Sequence, residues 1–271
     1  MAIPLLESVK LIERQYHTGE EPVLVMCSDM NAYICKYMHS TSSAYKLACE
    51  LIGSCMASAW QLGTPDVAFV RIKTSHWGGL NVHHNVSAPS LGSKWMDGVV
   101  DITSSTYSDV KATLRVLYQL LKIALFDFWL ANEDRNANNA NLLYDVMTDR
   151  LIAIDFGCIL NTATFNYPLS QLTATDTILY SDLFQYLTSG KSQSVIVGFV
   201  RDLQADYREC LKRSRKQVRQ ILEELPKEWN ISANNVESKL QQLFVEKWTD
   251  SVWENFVEQL FDNLRNESSE V

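Results

Sequence analysis

The 271-residue chain is 46% hydrophobic and carries a formal net charge of −8. That is enough apolar material for a sizeable core, in one large domain or two lobes, and the sequence pI of about 5.2 argues against direct nucleic-acid binding through bulk charge. MAIPLLESVKLIERQ shows no basic region ahead of a long apolar core, the most apolar window (Val116 to Ala131) is short and carries Lys122 and Asp127, and six cysteines lie scattered without a CxxC pair, so a cytoplasmic protein with reduced thiols is expected, with no signal peptide, no membrane span and no role for the sequons at Asn85, Asn230 and Asn266.

Val23 to Cys27 and Ala32 to Tyr37 read as short strands flanking the turn SDMN. From Ser43 to Leu62 the period is helical, with Ala44, Leu47, Ala48, Leu51, Ile52, Cys55, Ala59 and Leu62 on one face, and Gly63 with Pro65 after it supplies the stop. Val67 to Ile72 is a further strand; TSHWGGLNVHHNVSAPSLGSK, which follows, is loop-rich and resists assignment. From about Ser108 the chain turns helical, and Leu114 to Leu130 is so uniformly apolar that it belongs at the centre of the second half. Residues 161–182 read as a long Ser/Thr-rich loop with short helical pieces, whose hydroxyls are candidates for phosphorylation. Residues 195–225 and 235–265 read as amphipathic helices separated by LPKEWN. A small β-rich part followed by a larger helical part suggests a cleft between them that holds a nucleotide.

The stretch ANEDRNANNANLLYDVMTDRLIAIDFG, residues 131–157, carries the chemistry. Phosphoryl transfer needs metal to neutralise the triphosphate and an acid to orient the acceptor hydroxyl. Magnesium prefers hard oxygens: carboxylates, amide oxygens, phosphate and water. Asp134 opens a polar loop after the apolar helix, and Asn139 follows five residues on. Leu142 to Tyr144 and Leu151 to Ile154 form a hairpin that returns Asp155 beside that loop, with Gly157 letting the chain turn away.

The pattern Asp-Arg-x-x-x-Asn-x-Asn-Leu-Leu, then Ile-Asp-Phe-Gly, resembles the HipA-like kinase family, and the phosphoinositide lipid kinases more loosely. VLVMCSDMNAYICKY resembles the family's second and third strands, ending in its ATP-contacting lysine. LACELIGSCMA with LGTPDVAFVRI resembles the next helix and strand, LGSKW a segment near the interlobe link, and LEELPKEW a C-terminal element. The resemblance implies an α+β, bilobal, protein-kinase-like fold with a small β-rich N-lobe (residues 1–100) and a larger helical C-lobe (residues 101–271). It implies ATP and magnesium as cofactors, a protein acceptor with Ser or Thr, and in some members a toxin paired with an antitoxin or regulatory protein. By position, Asp134 would be the catalytic base, Asn139 and Asp155 would hold magnesium, and Lys36 would contact the ATP phosphates; Asn141 belongs to the motif without an assigned role. Two departures stand out: Phe156 where the family often has His, and a poor glycine loop, HTGEEP, with Gly19 as its one glycine and two acids that would repel triphosphate unless they point away.

Each of these residues also has a plain structural reading. Asp and Asn in a loop are ordinary turn formers; it is the register of Asp134, Asn139 and Asp-Phe-Gly together that points to a metal site. A strand lysine is ordinarily solvated, but Lys36 alternates with Ile34 and Met38 and should be partly buried, so it needs a partner, and Glu50 is the only acid between Thr41 and Pro65. His83 and His84 read as loop residues, with no zinc spacing elsewhere. RECLKRSRKQVR, 208–219, reads as a solvated basic face, with an acidic substrate or RNA-bearing partner as the alternative. Three functions stay open on the sequence: a Ser/Thr kinase, a kinase-fold phosphotransferase acting on a lipid or small molecule, and a catalytically dead binding module.

Overall fold

The computed structural model describes residues 2–17, 19–38, 41–78 and 87–269. Nine strands and seven helices are found among them: β1 (Leu5–Glu7), β2 (Arg14–Gln15), β3 (Val23–Met26), β4 (Ala32–Lys36), α1 (Thr41–Ala59), β5 (Val67–Arg71), β6 (Ser90–Lys94), β7 (Val99–Asp101), α2 (Leu114–Leu130), β8 (Leu142–Asp145), β9 (Arg150–Ala153), α3 (Ile159–Ala163), α4 (Asp182–Thr188), α5 (Gln193–Glu224), α6 (Ala233–Gln242) and α7 (Glu246–Ser269). Six strands form one sheet in the order β1-β5-β6-β4-β3-β2, and β7-β8-β9 form a second, small sheet. The fold is α+β and bilobal, with a β-rich N-terminal part and a helical C-terminal part.

The β3–β4 hairpin follows from its turn. Asp29 accepts the Asn31 backbone N–H at 3.1 Å and the Tyr33 hydroxyl at 2.8 Å, and Met30 takes the left-handed conformation (φ 63). Strand β6 is a correction to the sequence reading, in which SLGSK resists assignment. It lies between β5 and β4 although it has no β-branched residue. Gly92 is the reason it fits: an added Cβ would stand 3.0 Å from Tyr33 Cβ and 3.0 Å from Val70 Cγ2. The short strands β1, β2 and β7 likewise go beyond what the sequence pattern indicates.

Helix α1 ends at Ala59, and the left-handed residue that closes it is Gln61 (φ 60) rather than Gly63. Gly63 serves close approach instead. It bridges to Ile152, its carbonyl accepts Ala153 N–H at 2.7 Å, and a Cβ there would lie 2.2 Å from the Leu151 carbonyl. The expected helix 235–265 is two helices. The chain tightens at Leu243 to Val245, where successive N–H groups bond three residues back, before α7 begins.

Helix α2 is capped by Thr113, whose hydroxyl accepts Val116 N–H at 3.2 Å. Twelve of its residues are buried in the main core, so it is the central post on which the loop after it stands. Trp129 stacks on Trp60 of the N-terminal part at 5.4 Å and donates its indole N–H to Leu243 O at 2.8 Å. LPKEWN crosses back to the first sheet: Trp229 is buried against Phe69 and donates to Pro89 O at 2.8 Å. The 208–219 segment lies in α5 with Arg208, Lys212, Lys216 and Arg219 exposed, while Arg213 donates to Ala59 O at 2.7 Å. His83 and His84 fall outside the described residues. Among the described residues no helix is long and apolar enough to cross a membrane.

Candidate active site

Between the two sheets lies a cleft of about 480 Å³. Ile34 and Leu91 of the first sheet form one wall, the connection Trp95 to Val99 closes one side, and Leu143 and Ile154 of the second sheet region face them; Lys36, Glu50 and Asp155 are among its charged lining residues, with Arg14, Lys94, Asp97 and Asp101. A larger cavity, about 650 Å³, between α2, β9 and α5 contains none of Lys36, Glu50, Asp134, Asn139, Asn141 and Asp155.

Lys36 ends β4 on the face opposite the buried Tyr33 and Cys35. Its ammonium bonds Glu50 Oε1 and, at 2.7 Å, Asp155 Oδ1. Burial works against the charge on Lys36, yet the Glu50, Asp155 and Glu20 carboxylates outweigh it and hold its pKa above the ordinary lysine value. Burial raises Glu50, against the pull of Lys36, to about 7. Burial also opposes the charge on Asp155, but Lys36 and hydrogen bonds to Glu50, Lys36 and Gly157 prevail and its pKa falls to about 2. Glu50 also holds the backbone beyond Asp155, because its Oε2 accepts Phe156 N–H at 2.9 Å. That reach needs α1 close to Asp-Phe-Gly, and Gly53 permits it, since a Cβ there would stand 2.2 Å from Phe156 Cβ.

The turn after Ile154 is made by Asp155 itself (φ 57), a conformation Asp tolerates better than most residues. Gly157 is needed for room rather than for turning: a Cβ would crowd Glu50 Oε1 at 3.1 Å and Asp155 Oδ1 at 3.6 Å.

The Asp134 loop is built on a polar scaffold that the sequence motifs do not reveal. Helix α2 ends at Ala131 (φ 50), and Asn132 N–H returns to Asp127 O at 3.0 Å. Asp127, fully buried near the end of α2, accepts from Arg135 Nη1 and, at 2.8 Å, from Asn132 Nδ2; burial raises its pKa against the pull of Arg135. Arg135 also donates to Ile154 O at 2.8 Å and lies 5.2 Å from the Phe156 ring centroid. One buried guanidinium therefore ties α2, the loop and the residues around Asp155 together. The available signal was an acid near the end of a nearly all-apolar helix, which has to meet a cation.

Asp134 is half-buried. Asn141 (φ 46) donates its Nδ2 to Asp134 O and Oδ2, each at 3.1 Å, and its own carbonyl accepts Ile154 N–H at 3.1 Å. Asn139 is exposed and pairs through its backbone with Asn136. Cys158 lies within electrostatic reach of both Asp134 and Asp155, and burial first, then Asp134, pushes its thiol up to about 11.

Gly19 stands exposed, with open space where a Cβ would lie. The two acids beside it part ways. Glu21 points out to Gln15 at 3.3 Å, whereas Glu20 points in, its Oε1 3.0 Å from Lys46 and its Oε2 3.7 Å from Lys36. Beyond Asp-Phe-Gly, α3 is one turn whose residues Leu160 to Ala163 all have positive φ. Glu133 clamps it by accepting Thr162 Oγ1 at 2.6 Å and Asn161 Nδ2 at 2.9 Å.

The profile of the HipA-like kinase family matches residues 9–256, a span that includes all the motif residues named above. Among solved structures the chain is similar to the proinflammatory kinase CtkA of Helicobacter pylori, with a TM-score of 0.54 and 13% identity, covering 95% of this chain and 99% of that one; at that identity the likeness shows the fold alone. The open conformation of CtTel1 gives 11% identity over 90% of this chain and 11% of that chain, at a TM-score of 0.28 that carries no argument. No curated protein sequence matches the chain.

Proposed function

The chain belongs to the HipA-like kinase family, and from that premise we propose that it transfers the terminal phosphate of ATP, with magnesium, to a serine or threonine hydroxyl of a protein. The observation that carries this reading is Lys36, bonded at once to Glu50 of α1 and to Asp155 of Asp-Phe-Gly beside an apolar slot. In the same proposal residues 1–100 form the nucleotide-holding lobe and residues 101–271 the catalytic lobe.

The residues present fit the groups the reaction needs. Ile34, Leu91, Leu143 and Ile154 offer apolar walls to a purine ring, and the Lys36 ammonium offers a cation to phosphate. Asp155 offers carboxylate oxygen, and the asparagines of the loop offer amide oxygen, the hard donors that magnesium takes. Magnesium, when bound, neutralises the charge of the transferring phosphoryl group.

The protein's own part is positioning. Glu50 fixes the Lys36 ammonium and, through Phe156 N–H, the backbone next to Asp155. Asp134 orients the acceptor hydroxyl and takes its proton as the phosphoryl group leaves ATP. Asn141 holds the Asp134 carboxylate in place. The motif spacing nominates Asn139 as the amide ligand. The geometry adds Asn141, whose Oδ1 has no hydrogen-bond partner among the described residues and whose carbonyl is bonded to the residue before Asp155. Gly19 keeps only a minor place, within the turn that carries Glu20. The toxin role implied by the family is tested by growth on induced expression, alone and beside neighbouring genes.

The experiment is incubation of the purified chain with γ-labelled ATP, magnesium and cell lysate. Label on protein Ser or Thr, lost in Asp155→Ala, supports the proposal. Label in the lipid or small-molecule fraction transfers the reading to a different acceptor, and ATP binding without any label leaves a binding module.

A further inference from the structure

The segment between β2 and β3 is where a nucleotide-holding sheet would cover phosphates, yet it has one glycine and two acids. It is closed by Tyr16 N–H donating to Pro22 O at 2.9 Å, and Glu21 takes a left-handed conformation (φ 45). The closure sends the two acids in opposite directions. Glu20 reaches inward and one carboxylate spans two lysines, Lys46 at 3.0 Å and Lys36 at 3.7 Å. Lys46 lies on α1 one turn before Glu50, so both side chains rise from the same face of the helix. Its pKa is raised, first by the hydrogen bond to Glu20. The Glu20 carboxylate also lies near Gly157, with Oε1 4.0 Å from the position of an added Cβ.

A carboxylate between two ammonium groups occupies the place of a phosphate oxygen: it has the same charge sign and the same acceptor chemistry. We propose that Lys46 is a second contact for the nucleotide's terminal phosphates, and that Glu20 is the acid these phosphates displace from Lys36 and Lys46. The inference rests on the reading that ATP phosphates lie against Lys36. It explains how a chain without a glycine-rich loop grips triphosphate: the grip comes from Lys46 of the helix beside Lys36, and the loop supplies an internal anion that pairs Lys46 and adds a third carboxylate to Lys36 until nucleotide arrives. Glu20 cannot hold the lysines and admit phosphate together, so every ATP bound works against the Glu20 contacts.

The test is calorimetric binding of magnesium–ATP and of adenosine to the full chain, with thermal melting of each variant as the folding control. Glu20→Gln keeps shape and removes the charge; it should tighten ATP by about threefold to fivefold, the range of a partly exposed ion pair, and leave adenosine unchanged. Lys46→Met should weaken ATP on the order of tenfold, again with adenosine unchanged, and Lys46→Arg should restore most of the loss. In the double variant the gain from Glu20→Gln should shrink, because half of what Glu20 held is gone. ATP affinity unchanged in Lys46→Met overturns the inference, as does weaker ATP binding in Glu20→Gln, which would make Glu20 a ligand rather than a competitor. Lys36→Met separates the two levels. If it weakens ATP while Lys46→Met does not, the inference fails and the kinase reading stands. If wild type binds neither ATP nor adenosine, both fall.

Discussion

Arg135 holds the Asp134 loop from inside the protein, so replacing it should cost more than any exposed residue of the motif. Its guanidinium is fully enclosed, bonded to the equally buried Asp127 and to Ile154 O at 2.8 Å. Asp127 Oδ2 already lacks a hydrogen-bond partner among the described residues, so Arg135→Met leaves a carboxylate with only Asn132 beside it. Removing one member of a buried pair costs about 3–5 kcal/mol. In a chain of this size each kcal/mol lowers the melting temperature by about 2–4 °C, so a drop on the order of 10 °C is expected. Asp127→Leu in the same chain removes the stranded charge and should recover most of that drop. It should not recover phosphoryl transfer, because the loop remains untied from Ile154 and Phe156. The loss in Arg135→Met should also depend on pH. Burial raises the Asp127 pKa against the pull of Arg135, so without Arg135 it stands higher still; a carboxyl raised in this way contributes stability that is present below its unfolded-state pKa and lost as pH rises through the folded value, so the deficit against wild type should shrink as pH falls from neutral toward the ordinary aspartate value. Calorimetric melting of wild type, single and double variants across that range checks all three statements. A single variant that melts within about 2 °C of wild type, or a double variant no better than the single, would refute the buried-anchor argument.

Asp134→Asn keeps shape and removes charge; magnesium–ATP affinity should hold while transfer falls by about a hundredfold to ten-thousandfold, measured by calorimetry and phosphate incorporation on the same preparations. Asn141→Ala should reduce transfer more than Asn139→Ala, since Asn141 holds Asp134 at 3.1 Å and Asn139 is exposed; equal losses would return the role to Asn139. Lys36→Ala and Glu50→Gln should each cut activity, and their combined loss should fall short of the sum because they share one contact; a full sum would mean they act separately. Gly53→Ala places a Cβ 2.2 Å from Phe156 Cβ, an overpacking worth about 1–3 kcal/mol, and should lower both melting temperature and activity; an unchanged melt would show that α1 yields freely.

What the sequence determined by itself was local. The β3–β4 hairpin showed because two apolar runs flank a turn whose Asp29 bonds Asn31. Helix α2 showed because it is nearly all apolar, and the Asp134 to Gly157 stretch because its spacing is set within one loop and one hairpin. Lys36 and Glu50 could be paired on paper because only one acid lies in the next helix. The tertiary structure decided everything that depends on distant segments meeting. Strand β6 has little β propensity and forms because β4 and β5 flank it and Gly92 lets them close in. Gly63 and Gly157, which read as a stop and a turn, proved to be spaces left for a neighbouring carbonyl and for carboxylates. Helix α7 separates from α6 because Trp248 and Leu243 are both claimed by Trp129, whose carbonyl and indole bond them at 3.1 and 2.8 Å. The directions of Glu20 and Glu21 show the same limit: adjacent acids are equivalent in a sequence, and only the closure of the turn from Tyr16 to Pro22 aims one at the lysines and the other at solvent. Periodicity and spacing report what a chain does within a few residues; a charge's partner is set by which segment the fold brings to within about 4 Å of it, where Coulomb attraction outweighs the cost of leaving water.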